Sequence, residues 1–323
     1  MRIITSLLIL IVLFLFGGAG YQYLSEQSDS NGIPGQLYRV GGNTYHLLCE
    51  GQNGPTLLFE SGRWGWYADW SPLWNLLPSA QRRCTYDRLG LGWSSHNSSL
   101  KHSDNVAMDL NKLLAVAGID EPLIIVGHSL GGLYARKFYE LFPERVSGLV
   151  LLDSTHEEGP KRLTYAPENL SEIKLCSLVA WTGTLRMFGT MEMLVPKNAS
   201  PSLAQEVLSV ANRSQFCSGL IMAAEGIESE LKHGAPPKSL GNLPLVVVRR
   251  GKTADDYIGL DGDNREQFEK NEPIWYEMQE ELAGLSSQSK LLIANRSGHQ
   301  IQADAPETVI EAIDIVLAWV AEE

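Results

Sequence analysis

Gly127-His128-Ser129-Leu130-Gly131-Gly132 follows directly on the apolar run Leu123-Ile124-Ile125-Val126 and leads into a helix-like segment, Leu130–Leu141. A strand that turns sharply into a helix around Gly-x-Ser-x-Gly is the arrangement that presents a serine as a nucleophile. The turn puts Ser129 in a strained conformation, and bulky neighbours at Gly127 and Gly131 would block it. A helix beginning at Leu130 aims its first amides and the positive end of its dipole at a developing oxyanion. The chemistry expected is attack of the Ser129 hydroxyl on a carbonyl carbon.

A hydroxyl is a poor nucleophile until a base takes its proton, and the chain offers seven histidines. His299, in Ser297-Gly298-His299, lies after the last strand-like run and before the last helix, on a loop that can reach the same edge of a sheet. His128 belongs to the turn itself, where its ring points away from the Ser129 pocket. His46 sits in an alternating strand, and His96, His102, His156 and His233 in polar loops. His299 is therefore the expected general base. An acid is needed to orient the imidazole and stabilise its protonated form. Asp153 ends one strand-like run, and Asp255 and Asp256 follow another; all three remain candidates.

These residues have to be carried by regular elements. Strand patterns fall at Gln36–Val40, Thr44–Cys49, Pro55–Glu60, Arg83–Tyr86, Leu123–Val126, Val146–Leu152, Pro244–Val248 and Lys290–Ala294. Helical periodicity runs through Asn105–Ala117, Leu130–Leu141, Pro273–Leu282 and Pro306–Val320. Strand and helix alternate at βαβ spacing, which predicts an α/β fold with a mostly parallel sheet and helices on both faces. From Ser154 to Leu240 the rhythm breaks. The segment lacks an apolar strand and carries Pro160, Pro167, Pro196, Pro201, Pro236 and Pro237. It reads as a helical cap over the strand ends, where open α/β sheets bind ligands.

Gly127–Gly132 resembles the nucleophile elbow of the α/β-hydrolase superfamily. Asp87-Arg88-Leu89-Gly90-Leu91-Gly92-Trp93-Ser94 is similar to the D-x-x-G-x-G-x-S turn of its capped, epoxide-hydrolase-like branch, here with a serine nucleophile. Ser297-Gly298-His299 before Asp304-Ala305-Pro306 resembles the segment that carries the catalytic histidine. The resemblance spans residue 36 to the C-terminus and leaves only the cap unanchored. It implies an α/β-hydrolase core of residues 36–153 and 241–323, with a helical cap, 154–240, inserted after the sixth strand. It also implies the order nucleophile, acid, histidine. Asp153 resembles an acid position used by some capped relatives and is preferred. Asp256 and Asp255 stand near the commoner position, but Gly251–Ile258 has one or two residues too many for that pattern. For the oxyanion hole, Leu130 offers one amide. The loop Ser61-Gly62-Arg63-Trp64, where many relatives carry His-Gly, offers a second from Arg63 or, next, Trp64.

The implied activity is hydrolysis of a carboxylic ester or related small carbonyl substrate through an acyl-enzyme, with no metal or organic cofactor. A non-catalytic membrane-tethered binding protein and an acyltransferase are the alternatives. Trp64, Trp66 and His128 are the pocket candidates. With Tyr67, Trp70 and Trp74 the tryptophans either pack beneath the cap or form an aromatic wall; Met187, Phe188, Met191, Met193 and Leu194 are candidates for the opposite wall.

Across 323 residues the formal charge is -12, which argues against a nucleic-acid partner. Arg2 precedes an apolar run from Ile3 to Phe16, then Gly17-Gly18-Ala19-Gly20. Residues 1–24 are expected to form a membrane anchor with the acidic domain on the exported side, or else a cleaved signal or a buried helix. Residues 25–35 read as a linker. Four cysteines match no zinc spacing. Cys49 and Cys84 are expected as buried free thiols, while Cys176 and Cys217 could pair in an exported domain. The oligomeric state is not readable.

Overall fold

The computed structural model describes residues 2–97, 103–164, 169–196, 199–232 and 238–322. His102, His233, Pro167, Pro236 and Pro237 lie outside the described residues. The strands are β1 (Gln36–Val40), β2 (Asn43–Glu50), β3 (Asn53–Glu60), β4 (Gln81–Tyr86), β5 (Leu123–His128), β6 (Val146–Leu152), β7 (Leu245–Arg250) and β8 (Ser289–Ala294). The helices, in chain order, are α1 (Arg2–Asp29), α2 (Ser71–Trp74), α3 (Ser103–Val116), α4 (Leu130–Leu141), α5 (Gly159–Arg162) and α6 (Ser171–Val179). They continue with α7 (Thr184–Met187), α8 (Pro201–Ala211), α9 (Phe216–Lys232), α10 (Gly262–Ala283), α11 (Ile301–Asp304) and α12 (Pro306–Glu322).

All eight strands form one sheet in the order β1-β2-β4-β3-β5-β6-β7-β8. β1 and β2 pair antiparallel, as do β2 and β4; every other pairing is parallel. Alternation along the central strands sorts the core into two layers. Leu58, Leu123, Ile125, Leu149, Leu151, Leu245 and Val247 pack with Leu110 and Leu113 of α3, Phe138 of α4 and Leu282 of α10. Their neighbours Leu57, Phe59, Ile124, Val126, Val150, Leu152, Val246 and Val248 pack with Leu73 of α2, Ile301 of α11 and Val309, Ile313 and Val316 of α12. Both faces are buried, which is why these strands read as continuous apolar runs. The expected α/β sandwich of helices on both faces is thus present.

The chain passes from β3 outward to β4, then returns to β5 on the other side of β3. Strand order therefore reverses between β3 and β5, and the C-terminal ends of those two strands flank a crevice. Glu60 closes one strand and His128 the other.

Three expectations need correction. Cys49 and Cys84 are not free thiols: the antiparallel register places them opposite one another, with Cα atoms 4.1 Å apart, and they form a disulfide. Cys176 of α6 and Cys217 of α9 form a second. Residues 25–29 are not linker, because α1 runs on to Asp29 and docks its polar end. Gln22 Nε2 donates to Asn212 O (2.5 Å), Ser214 N donates to Glu26 Oε1 (2.6 Å) and Arg186 pairs with Asp29 (2.7 Å). Helix α10 starts at Gly262, not at Pro273, which lies inside it. Its first half, rich in charged and amide side chains, offers no apolar periodicity to read. Nor is the N-terminal helix a core helix: only 6% of its apolar window, of mean hydropathy 2.5, is buried.

Candidate active site

β5 delivers Ser129 to the crevice. Its backbone adopts φ 52° and ψ −119°, a region costly for any residue with a side chain. Two contacts explain the flanking glycines. A Cβ on Gly127 would lie 2.7 Å from Gly131 O, and one on Gly131 would lie 2.1 Å from Glu60 O. Ser129 N is held by Leu152 O (2.9 Å), so the turn is pinned to the end of β6.

His299 Nε2 lies 2.9 Å from Ser129 Oγ, and His299 Nδ1 lies 2.7 Å from Asp153 Oδ2. The His299 side chain keeps 41% of its surface exposed whereas Asp153 is fully buried, so the imidazole can meet a substrate and the carboxylate cannot. Asp153 also has positive φ, 41°. Among the described residues, Ser129 and Asp153 are the two non-glycine residues in that region. Strain of about 1–3 kcal/mol each is held at the two strand ends that meet at the histidine.

Asp153 is held by more than the histidine. Oδ1 accepts from Trp275 Nε1 (2.7 Å) and from Arg250 N (3.2 Å), while Oδ2 accepts from Arg250 Nη1 (2.7 Å). Burial opposes its ionisation. The Arg250 charge and the His299 and Trp275 hydrogen bonds overcome that cost and keep the carboxyl well below the usual carboxylate range. One turn along α10 from Trp275, Gln279 grips both the amide and the carbonyl of Ser154 (3.0 and 2.8 Å). Arg250, Trp275 and Gln279 were not singled out from the sequence. The one signal was a pair of arginines closing an otherwise apolar strand at the edge where a buried anion would need them.

Asp255 and Asp256 are exposed and occupied elsewhere. Asp255 pairs with Arg265, and Asp256 closes a capping box with Thr253 N (2.8 Å) and Oγ1 (3.1 Å).

On the β3 side, Gly62 sits against the elbow: a Cβ there would be 3.4 Å from Ser129 Cβ. Arg88 clamps this loop from behind. It donates to Ser61 O (2.7 Å), to Gly62 O and to Arg63 O (3.2 Å), and pairs with Glu60, which also accepts from Tyr86. In a trans peptide the N–H points opposite the C=O of the same unit. Holding Gly62 O and Arg63 O on Arg88 therefore turns the Arg63 and Trp64 amides away from it. Leu130 N is the first amide of α4. The Asp87 turn is architectural: its carboxylate accepts from Tyr67 N and Trp93 N (2.8 Å each) and pairs with His46 (2.8 Å).

The aromatic candidates divide. Trp64 is 40% exposed and its Nε1 donates to Leu220 O of α9 (3.3 Å), whereas Trp66 packs with Tyr67, Trp93 and Val210 between core and insertion. Trp70 is fully buried and Trp74 packs beside it against the sheet. His128 is not an open pocket wall. Its ring is buried, 4.8 Å from that of His299, and Nε2–H donates to His299 O (2.8 Å). Burial and the neighbouring His299 push its imidazole down to about 3, so it stays neutral. On the supposed opposite wall Met191 is buried, while Met187, Phe188, Met193 and Leu194 face solvent. A cavity bounded by Tyr45, Arg63, Tyr86, Arg88, Tyr134 and Met222 lies on the Arg88 side of the loop, and neither Ser129 nor His299 lines it.

Fold and strand order define an α/β-hydrolase, and a sequence model of the family described as alpha/beta hydrolase fold matches residues 55–191. The chain has the α/β-hydrolase fold. An AB hydrolase superfamily protein of Gibberella zeae is 24% identical over 273 residues, covering 79% of this chain and 84% of its own. Among solved structures, a bacterial membrane phospholipase A is similar over 100% of this chain and 99% of its own, at 17% identity and TM-score 0.60. The epoxide hydrolase CorEH is similar over 88% and 98%, at 19% identity and TM-score 0.59. At these identities the two structures speak for the fold.

Proposed function

We propose that the protein is a serine hydrolase that cleaves a carboxylic ester through an acyl-enzyme, tethered to a membrane by α1. The observation that carries this reading is the unbroken relay from Ser129 Oγ to His299 Nε2 and from His299 Nδ1 to Asp153. Ser129 attacks the carbonyl carbon as His299 takes its proton; the imidazolium is stabilised by Asp153 and returns the proton to the leaving alcohol. Water, activated by the same imidazole, then releases the acid. The oxyanion is received by the Leu130 amide and by Arg63 or Trp64, whose peptide planes Arg88 fixes. His128 braces the His299 backbone without competing for protons, since it remains neutral. The supporting case for the tether is an exposed apolar helix whose far end is docked on the domain.

The test is labelling of the full chain in detergent with a fluorophosphonate probe. Wild type is expected to label, Ser129→Ala not at all, and His299→Ala at a rate reduced by about 10³-fold or more. A folded wild type that takes neither this probe nor a small p-nitrophenyl ester would overturn the reading.

A further inference from the structure

If α1 spans a bilayer, as proposed above, the structure places limits on where that bilayer ends. Ile3 to Phe14 stand clear of the domain, with every described side chain among them exposed. Twelve residues rise about 18 Å at 1.5 Å each, whereas a hydrocarbon core is about 30 Å thick. The missing ~12 Å is about eight further residues, Leu15 to Gln22, and no charged residue occurs between Arg2 and Glu26.

Within that stretch Gly18, Tyr21 and Gln22 lie against the insertion. Gly18 meets the turn Ala180–Thr182 so closely that a Cβ there would be 2.1 Å from Thr182 O, and Gly183 lies against Gly18 O, Tyr21 and Gln22. The hydrocarbon therefore reaches the level of this turn. The surface beside it is apolar: Leu175 and Leu178, one helical turn apart on α6, and then Trp181 are 62%, 69% and 49% exposed. Their neighbours Ile173 and Cys176 point the other way, into a small core with Met191 and Cys217. A soluble surface seldom presents three such side chains in a row beside an apolar helix. The indole, whose Nε1 donates to Leu178 O (2.9 Å), suits a membrane interface.

We propose that residues 171–182 rest on the same leaflet that α1 enters, with Leu175, Leu178 and Trp181 inserted among the lipids. The occupant is a lipid surface and not a protein, because the patch continues the apolar face of α1 at the depth the span requires. The attraction is apolar and not electrostatic, since the domain is acidic and Lys174 is the only basic residue of α6.

Full chain reconstituted in phosphatidylcholine vesicles, with and without lipid brominated near the head of the acyl chain, tests this. Residues 1–63 contain no tryptophan, so quenching reports on the domain. Brominated lipid is expected to remove roughly one tryptophan's share of the emission from eight in wild type, and none in Trp181→Phe. Leu175→Lys/Leu178→Lys should lose at least half of that quenching while still floating with the vesicles, and 0.5 M salt should leave the wild type unchanged. Equal quenching in wild type and Trp181→Phe, with both floating, would overturn the proposal. So would a dimer in detergent that the lysine variant dissolves, which would assign the patch to a second copy. Stripping of wild type from the vesicles by carbonate would instead remove the spanning helix itself, and the proposal with it. None of these readouts depends on hydrolysis.

Discussion

The ends of β6 and β7 are neighbours in the sheet, in register from Leu149–Leu245 to Leu152–Val248, and each is followed by aspartate. They do opposite things. After Leu152 the chain turns at once, in a positive-φ conformation, and the first residue out is the buried Asp153. β7 runs two residues further, through Arg249 and Arg250, before it leaves the sheet. Asp255 and Asp256 follow only after Gly251–Ala254 and are exposed; Asp256 caps its own turn and Asp255 pairs with Arg265 of α10. The difference is two further residues of strand, Arg249 and Arg250, and the four residues Gly251–Ala254 that precede Asp255. It makes one strand end the source of the anion and the other the source of the cation that holds it.

The largest effect should separate the two ends. In the proposed mechanism Asp153→Asn removes the charge that stabilises the imidazolium, and it is expected to lower kcat/KM by about 10⁴-fold. Asp255→Asn and Asp256→Asn should each stay within about twofold, because neither touches His299. A large loss in Asp256→Asn with little in Asp153→Asn would reverse the assignment. Next comes Arg250→Met, which leaves Asp153 buried without its cation. Denaturant unfolding at pH 7 should show a loss of about 3 kcal/mol. The sign with pH follows from the depressed carboxyl. The stabilisation is fully present above the unfolded carboxylate value near 4 and is lost as pH falls towards the lower folded value. The gap between wild type and Arg250→Met should therefore narrow below pH 4. The smallest effect belongs to the third strand end, that of β5. His128, held down to about 3, favours the fold above the unfolded value near 6.5 and progressively less as pH falls towards 3. His128→Gln should flatten the decline in Tm over that window. An unchanged slope would mean that the ring is protonated in the folded protein.

Much of this was legible residue by residue, because it depends on neighbours in the chain. Gly127 and Gly131 around Ser129, the apolar run before them and the helix after them are local features, and so is the loop that carries His299. Asp153 was legible as the residue that ends a strand, though its burial was not. What escaped depends on partners far away in sequence. Arg250 and Trp275 meet Asp153 from 97 and 122 residues away, and Arg88 reaches its loop across 25 to 27. The Cys49–Cys84 bond requires the register between β2 and β4, which no periodicity specifies. The first half of α10 carries no apolar stripe, so only its contacts with the rest of the chain define it.

The cross-strand disulfide has a further consequence. Its two cysteines are 35 residues apart, and the loop they close contains β3 and the whole Ser61–Trp64 segment. The unfolded polypeptide is then a ring at that point, with less freedom to lose on folding; chain-entropy reasoning puts the gain at about 4 kcal/mol. Such a ring closes in the periplasm, the secretory lumen or outside the cell, and opens where glutathione and thioredoxin keep thiols reduced. The same polypeptide is more robust where the pair is oxidised than where it is reduced. With the pair reduced, the Ser61–Trp64 loop rests on its Arg88 contacts without the ring.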